Sequence, residues 1–567
     1  MRDQSANSVL KLTNEEIANR LMSLAQLLAA RKENPFKIKA YRRAAKAISN
    51  MGESIDELVR NGDDLTQFPG IGDAIEASIR ELVSTGSLRR LEALRSDMSS
   101  EVVEISNYPQ LDPRRVLRIL KKLGISTIEA LKDRLDAGEI LREFGLRMEQ
   151  HIRRGLADTR ELLWHEAEKL VQNVEDYLVD RCGARHAEVV GQFRRRHETL
   201  TELSFLVEVD DFGSVVRKLR RYGGKADVVR AETDRASFRL ASGVLLSVSA
   251  ATRHDWGIRM IECTGSERHI AELQSRSPGL DTLRSSKAPF ATEKSVYSAM
   301  GLLFIEPELR EGNDEVARAA TNDLPNLVTV EDIRGELHAH TVSSDGANSI
   351  EEMVEAARDR GLGYIGISDH SQSLKIAGGV SEDDLWEQIR YIDKLNERIE
   401  GIRILKGAEV DILQDGSLDY SESILKELDY TICSIHSRFG MNRSEQTERI
   451  LRAMDNRYFN ILGHPTGRLL LKRPGYEIDF ERVIEHAQAN RCHFELNSSP
   501  DRLDVSAANA RHISAVGVGI VVTTDAHSTR ELGYLRLGID QARRAGLSKE
   551  KILNHLEWPA LKRALRR

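Results

Sequence analysis

The sequence has little cysteine, no long apolar run and no excess of basic charge, and each shortage excludes a class of protein. Of 567 residues only 4 are cysteine. Cys182, Cys263, Cys433 and Cys492 lie far apart with no CxxC pair, which argues against a zinc ribbon or a disulfide framework and suits a reducing cytoplasm. No uninterrupted apolar run reaches membrane-spanning length and no apolar signal region opens the chain, so no membrane partner is expected. The net charge of −7, with 30% charged residues, gives no global advertisement of nucleic acid, and local clusters must carry any such role. The length is too great for one core and suggests roughly three to five domains.

What the chain does have is a series of histidines and acids in its carboxy-terminal part. It runs His338-Ala-His340, Asp345, Asp369-His370, Glu409, His436, His464 and Asp525-Ala-His527. Nearly every one stands where a short, β-branched apolar run gives way to a polar turn, as in YIGISDHS, YTICSIHS, FNILGHP and GIVVTTDAHS. Such runs read as buried parallel strands. If each ligand sits at the carboxyl end of a barrel strand, all converge on one face, where barrel sites lie. Imidazole with carboxylate is the ligand set of zinc, manganese or iron. The pattern therefore predicts a multinuclear metal centre.

The amino-terminal part reads as helical from Asn14 to about Leu94, with Ile17, Leu21, Leu24, Leu27 and Leu28 at helical spacing. NPFKIKAYRRAAKAI, containing Arg43, is a basic amphipathic helix, and Phe68-Pro-Gly-Ile-Gly72 leads into another helix. The backbone N–H groups of Gly70 and Gly72 would hold a phosphate at that helix start, the signature of a helix-hairpin-helix; a plain helical hairpin turn is the alternative.

In their order, NPFKIKAYRRAAKAI, FPGIGDAIEASI, STGSLRRLEAL and TEKSVYSAMGLLFIEPELRE, followed by RGELHAHTVSSDG, resemble the family X DNA polymerases of bacterial type, which carry a C-terminal polymerase and histidinol phosphatase (PHP) domain. The resemblance covers about residues 14–560. It implies a multidomain fold: an all-α helix-hairpin-helix lyase-type domain (1–95), a fingers-like helix-hairpin-helix region (96–160), an α+β nucleotidyltransferase-like palm and thumb (161–315), a linker (316–332), and an α/β, distorted (β/α)7 PHP barrel (333–567).

The resemblance also shows what is missing in the front half. The lyase reaction needs a lysine amine, but the matching position is Ser78 and its neighbour Ala74, so no lyase activity is expected. Leu111-Asp112-Pro113 replaces the second glycine-bearing hairpin. The three palm carboxylates that hold two magnesium ions align with Glu202, Ser204 and Ser247, and the turn serine is Gln192, so a dead polymerase is expected. Arg194, Arg195 and Arg196 would grip a phosphate backbone, or else be ordinary solvated cations.

Nothing is missing in the PHP part. The resemblance implies that His338, His340, Glu409 and Asp525 hold one metal, that Asp345, His370 and His527 hold a second, and that Glu409, His436 and His464 complete a third. Up to three divalent ions follow, with manganese preferred and zinc or iron as alternatives. Asp369 would orient a ligand or cap a helix, and Arg468 and Arg502 would steady a phosphate oxygen or form structural ion pairs. His486, His493, His512 and His555 are read as non-ligands. The implied activity is phosphoester hydrolysis at DNA 3′ ends, gaps or abasic sites, as a 3′→5′ exonuclease, abasic-site endonuclease or 3′-phosphatase, in a cytoplasmic, nucleoid-associated protein favoured to be a monomer. Small-molecule phosphatase action and non-catalytic DNA-end binding are the rival readings.

Overall fold

A computed structural model describes residues 11–108, 111–157, 159–240, 242–286 and 288–566. The chain forms two compact units. One contains the residues up to Ser266 together with Ile270–Met300, and the other contains Glu267–His269 together with the residues from Gly301 onward.

The first unit opens with helices. Thr13 accepts from the Glu16 amide while Glu16 bonds back, a capping box that starts helix Asn14–Ala30. Asn34 caps Pro35–Ser49, whose Pro35 needs no intrahelical donor. Ile17, Leu21, Leu24 and Leu28 meet Ile48, Ile79 and Leu82 in one core. A smaller core of Val116, Ile119, Leu131 and Ile152 follows. The palm is a five-stranded sheet of β1 (His186–Val190), β2 (Glu202–Glu208), β3 (Asp227–Ala231), β4 (Arg235–Arg239) and β5 (Leu245–Ala251), ordered β1-β2-β5-β4-β3. Only β2 and β5 run parallel.

The second unit is a parallel barrel. Its strands are β6 (Gly335–Ala339), β7 (Tyr364–Ile367), β8 (Arg403–Lys406), β9 (Glu409–Asp411), β10 (Ile432–Ser434), β11 (Ile461–Leu462), β12 (His493–Asn497) and β13 (Ile520–Thr523). Strands β8-β7-β6 and β9-β10-β11-β12-β13 form two sheets, which single bridges join at His370↔Glu409 and Ala339↔Ala526. Because β8 and β9 are successive segments of one strand broken at Gly407–Ala408, the closed ring has seven strands. Side chains alternate along each strand. Cys433, Leu462, Phe494, Leu496 and Val522 pack outward on helical residues such as Ile450, Val483 and Ile513, whereas Ile432, Ile461 and Val521 join Leu337, Leu405 and Tyr430 in a separate, inner cluster. The segment from Gly301 belongs to this unit, with Glu308 paired to Arg543 at 2.8 Å and Glu311 to Arg544 at 3.3 Å.

Tyr430 plugs the ring. Its ring sits over Gly366 and Gly407, where any Cβ would collide with it, and its hydroxyl donates to the Leu337 carbonyl. Gly366→Ala is therefore expected to displace Tyr430 and cost about 1–3 kcal/mol, read as a melting temperature several degrees lower; an unchanged melting temperature would refute the plug. Among the described residues, no helix is long and apolar enough to cross a membrane.

Candidate metal centre

Eight of the nine ligand-type residues stand in or just beyond a strand at the barrel's carboxyl face, and the ninth, Asp345, sits in the turn that follows β6. His338 lies in β6, His340 just beyond it, His370 beyond β7, Glu409 at the start of β9, His436 beyond β10, His464 beyond β11, and Asp525 and His527 beyond β13. Asp525 and His464 have left-handed φ values of 53° and 23°, conformations that non-glycine residues adopt only when their surroundings enforce them.

Glu409 is the hub. Its buried carboxylate lies 2.7 Å from His370, 2.9 Å from His464, 3.2 Å from His436, 3.5 Å from His338 and 3.7 Å from His340. Asp525 lies 3.1 Å from His340 and 3.5 Å from His338. Asp345 lies 3.3 Å from His527 and 3.5 Å from His370. The ligand atoms fall into three overlapping groups: His340, Asp345, His370 and His527; His338, His340 and Asp525; and His370, Glu409 and His436. All nine residues thus come together, with His340 and His370 shared between groups and His464 reaching the cluster through Glu409.

The donor set fits divalent ions. Buried Nε2 of His338, Nδ1 of His340, Nδ1 of His370 and Oε2 of Glu409 make no hydrogen bond of good geometry, although Nδ1 of His370 and Oε2 of Glu409 stand 2.7 Å apart as an ion pair. Leaving such atoms unsatisfied in the interior costs free energy unless something else engages them. Two ligands about 2.1 Å from one ion stand about 3.0–3.4 Å apart at octahedral or tetrahedral angles, the spacing seen here. Two further carboxylates fix which nitrogen faces the cluster. Nδ1 of His338 is 2.5 Å from Glu495, which also accepts from Thr523 at 2.5 Å, and Nδ1 of His436 is 2.6 Å from Asp411. Both leave Nε2 inward, the usual carboxylate–histidine arrangement of metal sites.

The free ligand set holds protons. Burial disfavours the imidazolium of His370, but Glu409 and Asp345 outweigh it and lift its pKa to about 10. Against the same burial, Glu409 and Asp411 raise His436 to about 9, and Asp345 and Asp525 raise His527 to about 9. Burial, joined by the neighbouring imidazoles, pushes His340 down to about 4. Burial would raise Glu409 and Asp525, yet the surrounding histidines hold both well below the ordinary carboxylate range.

The other expected site residues are placed differently. Asp369 does not face the cluster: it accepts from the Thr341 amide (2.7 Å) and hydroxyl (2.8 Å), from Ser344 (2.6 Å) and from Gln388 (2.7 Å), so it ties down the loop that carries Asp345. Arg468 donates to the carbonyls of Arg502 and Leu503, which corrects the expectation of a phosphate contact to a backbone brace. Arg502 does reach the site, 3.5 Å from Asp525. His486, His493, His512 and His555 bond Asp455, Ala564, Glu481 and Ile552, away from the cluster. Glu495 and Asp411 escaped sequence reasoning. A glutamate inside the apolar strand HFELN and an acid two residues after Glu409 were the available signals.

In the front unit, Gly70 has φ +99° and would bring a Cβ to 3.2 Å from Arg43, so this turn requires glycine. Gly72 starts helix Asp73–Thr85 without a side-chain cap, but Asp73 and Glu76 occupy the first turn. Arg43 is exposed. Ser78 spends its hydroxyl on the Ala74 carbonyl, and Asp112 caps the helix that follows it through the amides of Arg114 and Arg115. In the palm, Ser204 and Ser247 are direct cross-strand partners, and Ser247 bonds Ser237 at 2.9 Å; Glu202 stands one pleat away. The arginines expected to grip phosphate are engaged internally instead. Arg194 forms a two-pronged pair with Glu293 at 2.8 and 2.6 Å, Arg195 is buried and donates to the Thr264 carbonyl, and Arg196 stacks on Trp164.

Comparison with known proteins agrees with this layout. Residues 12–88 match the helix-hairpin-helix domain model and residues 336–499 match the PHP domain model. The DNA polymerase/3′-5′ exonuclease PolX of Bacillus subtilis (strain 168) is 31% identical over 558 residues, 95% of this chain and 97% of that protein. Two proteins named Probable phosphatase are similar to part of the chain. That of Thermoanaerobacter sp. (strain X514) is 34% identical over 39% of this chain and 89% of its own length, and that of Syntrophotalea carbinolica is 28% identical over 39% and 90%.

Two outcomes follow from the geometry. Loading a divalent ion such as Mn2+ must displace protons from His370, His436 and His527. Because these groups are protonated below their raised pKa values, affinity should rise from pH 6 toward 9, about tenfold per unit for each proton displaced. Calorimetry in buffers of different ionisation enthalpy reads the released protons, and a pH-independent affinity would contradict the assignment. Glu495→Gln should weaken metal binding about 10–100-fold while leaving the melting transition of the first unit in place.

Proposed function

Since the chain belongs to the PolX family of DNA polymerases/3′-5′ exonucleases with a PHP domain, we propose that its working centre is the barrel, hydrolysing phosphoester bonds at DNA 3′ ends, while the palm no longer polymerises. One contrast carries the reading. Nine ligand-type residues gather around Glu409, whereas the palm positions that would need carboxylates present Ser204 and Ser247, one hydroxyl opposite the other. Hydroxyls do not hold two magnesium ions against a triphosphate.

His338, His340, Asp345, His370, Glu409, His436, His464, Asp525 and His527 would hold the ions. Bound there, divalent metal, with manganese the first choice for this mixed shell, would supply a hydroxide near neutral pH and neutralise the phosphate. The protein's own groups do the rest. Glu495 and Asp411 keep Nε2 of His338 and His436 inward. Asp369 fixes the loop that presents Asp345. Arg502, whose backbone Arg468 braces, stands beside Asp525 as a cation positioned to meet a phosphate oxygen. The helix-hairpin-helix turn at Gly70 and Gly72, with Arg43 against it, would bring DNA to the chain. A second reading, phosphomonoester hydrolysis, draws support from the proteins named Probable phosphatase that match 39% of the chain.

A 5′-labelled primer–template incubated with Mn2+, Mg2+ or Zn2+ tests this. Shortening is expected with no extension when deoxynucleotides are added, and His340→Ala should slow it by more than about 100-fold. Extension that survives His340→Ala would refute the silent palm; release of phosphate from small monoesters without any shortening would favour the second reading.

A further inference from the structure

Resting on the reading that the nine ligand-type residues hold divalent ions, we infer that Asn497 is a positioning residue for that centre. It ties off one oxygen of Asp525, so that this carboxylate offers only its other oxygen to an ion. Asn497 ends β12, two residues after Glu495, so both side chains point to the same face of the strand. Phe494 and Leu496 take the opposite face and join the outer packing layer. Asn497 and Glu495 are both fully buried.

The two oxygens of Asp525 have different neighbours. Oδ1 lies 3.1 Å from His340, 3.5 Å from His338 and 3.9 Å from His527. Oδ2 instead accepts from the Asn497 amide at 3.1 Å, with Arg502 at 3.5 Å. A side-chain amide has two N–H donors, and the Asn497 nitrogen also donates to Oε2 of Glu495 at 3.2 Å. The amide carbonyl accepts from the Ser499 backbone N–H at 3.0 Å, which fixes the way the group faces. One neutral nitrogen thus bridges two buried carboxylates, a ligand and the group that orients His338. Such a double donor satisfies both anions without adding a charge that would compete with an ion.

The strand itself does not need this amide. The Asn497 backbone exchanges hydrogen bonds with Asp504 at 2.6 and 3.2 Å and pairs with Thr523 of β13. Asp525 is the residue that needs fixing, since its φ of 53° is a conformation held only by its surroundings. A carboxylate free at both oxygens can bind an ion through one or through two. With Oδ2 tied to Asn497, only Oδ1 remains, on the side where His338 and His340 converge.

The test titrates the metal-free full chain with Mn2+ by calorimetry and, in parallel, records the visible absorption of Co2+ loaded in its place. Asn497→Asp keeps the shape of the side chain and the acceptor for Ser499 but loses both N–H donors. It should weaken the binding of one Mn2+ about 10–100-fold and shift the Co2+ bands, which follow the number and geometry of the ligands. Asn497→Ser, which keeps a single donor, should fall between the two, and it carries the test if the aspartate variant fails to fold. Wild-type affinity and bands in Asn497→Asp would overturn the inference. So would a loss of affinity that goes with a lower metal-free melting temperature and unchanged Co2+ bands, the mark of a strand brace. Failure of the wild type to bind Mn2+ at all would overturn the metal reading itself.

Discussion

A carboxylate buried among five imidazoles governs the second unit. Glu409 is removed from water, and a lone buried charge would neutralise itself rather than persist. It persists as an anion because His338, His340, His370, His436 and His464 all approach it within 4.0 Å. Those five histidines come from four strands, so the carboxylate can be satisfied only when the ring is closed and in register. The strand carrying Glu409 breaks at Gly407–Ala408 to deliver it, and Asp525 and His464 adopt left-handed backbone conformations to complete the ring. Strain of this kind is expected where geometry serves chemistry more than stability.

The palm illustrates the converse. Three acids on adjacent strands repel one another and are retained only where ions separate them. Here the central pair is Ser204 and Ser247, and the Ser247 hydroxyl is satisfied by Ser237 at 2.9 Å. The sheet keeps its order and core, since hydroxyls fit the pleat without charge to compensate. Serines at these two positions therefore leave the sheet intact and offer no pair of carboxylates there.

Arginine shows how far charge alone misleads. Arg194, Arg195 and Arg196 form an unbroken basic run in the palm, yet Glu293, the Thr264 carbonyl and Trp164 absorb them. Arg468 serves the backbone, while Arg502 of a neighbouring loop faces the cluster. A guanidinium offers five donors in a rigid fork, and carbonyls and carboxylates of the same chain compete for it on equal terms with phosphate.

The amino-acid sequence by itself determined the strand–turn rhythm of the barrel, the nine ligand-type residues and the serines at two of the three palm positions, because each is a local fact: a β-branched run, a side chain at its end, a serine where an acid would be needed. The glycine turn at Gly70 was equally legible, since only that φ demands that residue. Tertiary structure alone decided that Asp369 braces a loop, that Glu495 and Asp411 orient His338 and His436, that Tyr430 fills the ring, and which arginine remains available. Each of these depends on partners tens or hundreds of residues away, and a hydrogen bond is set by distance and direction in space, which spacing along the chain does not encode.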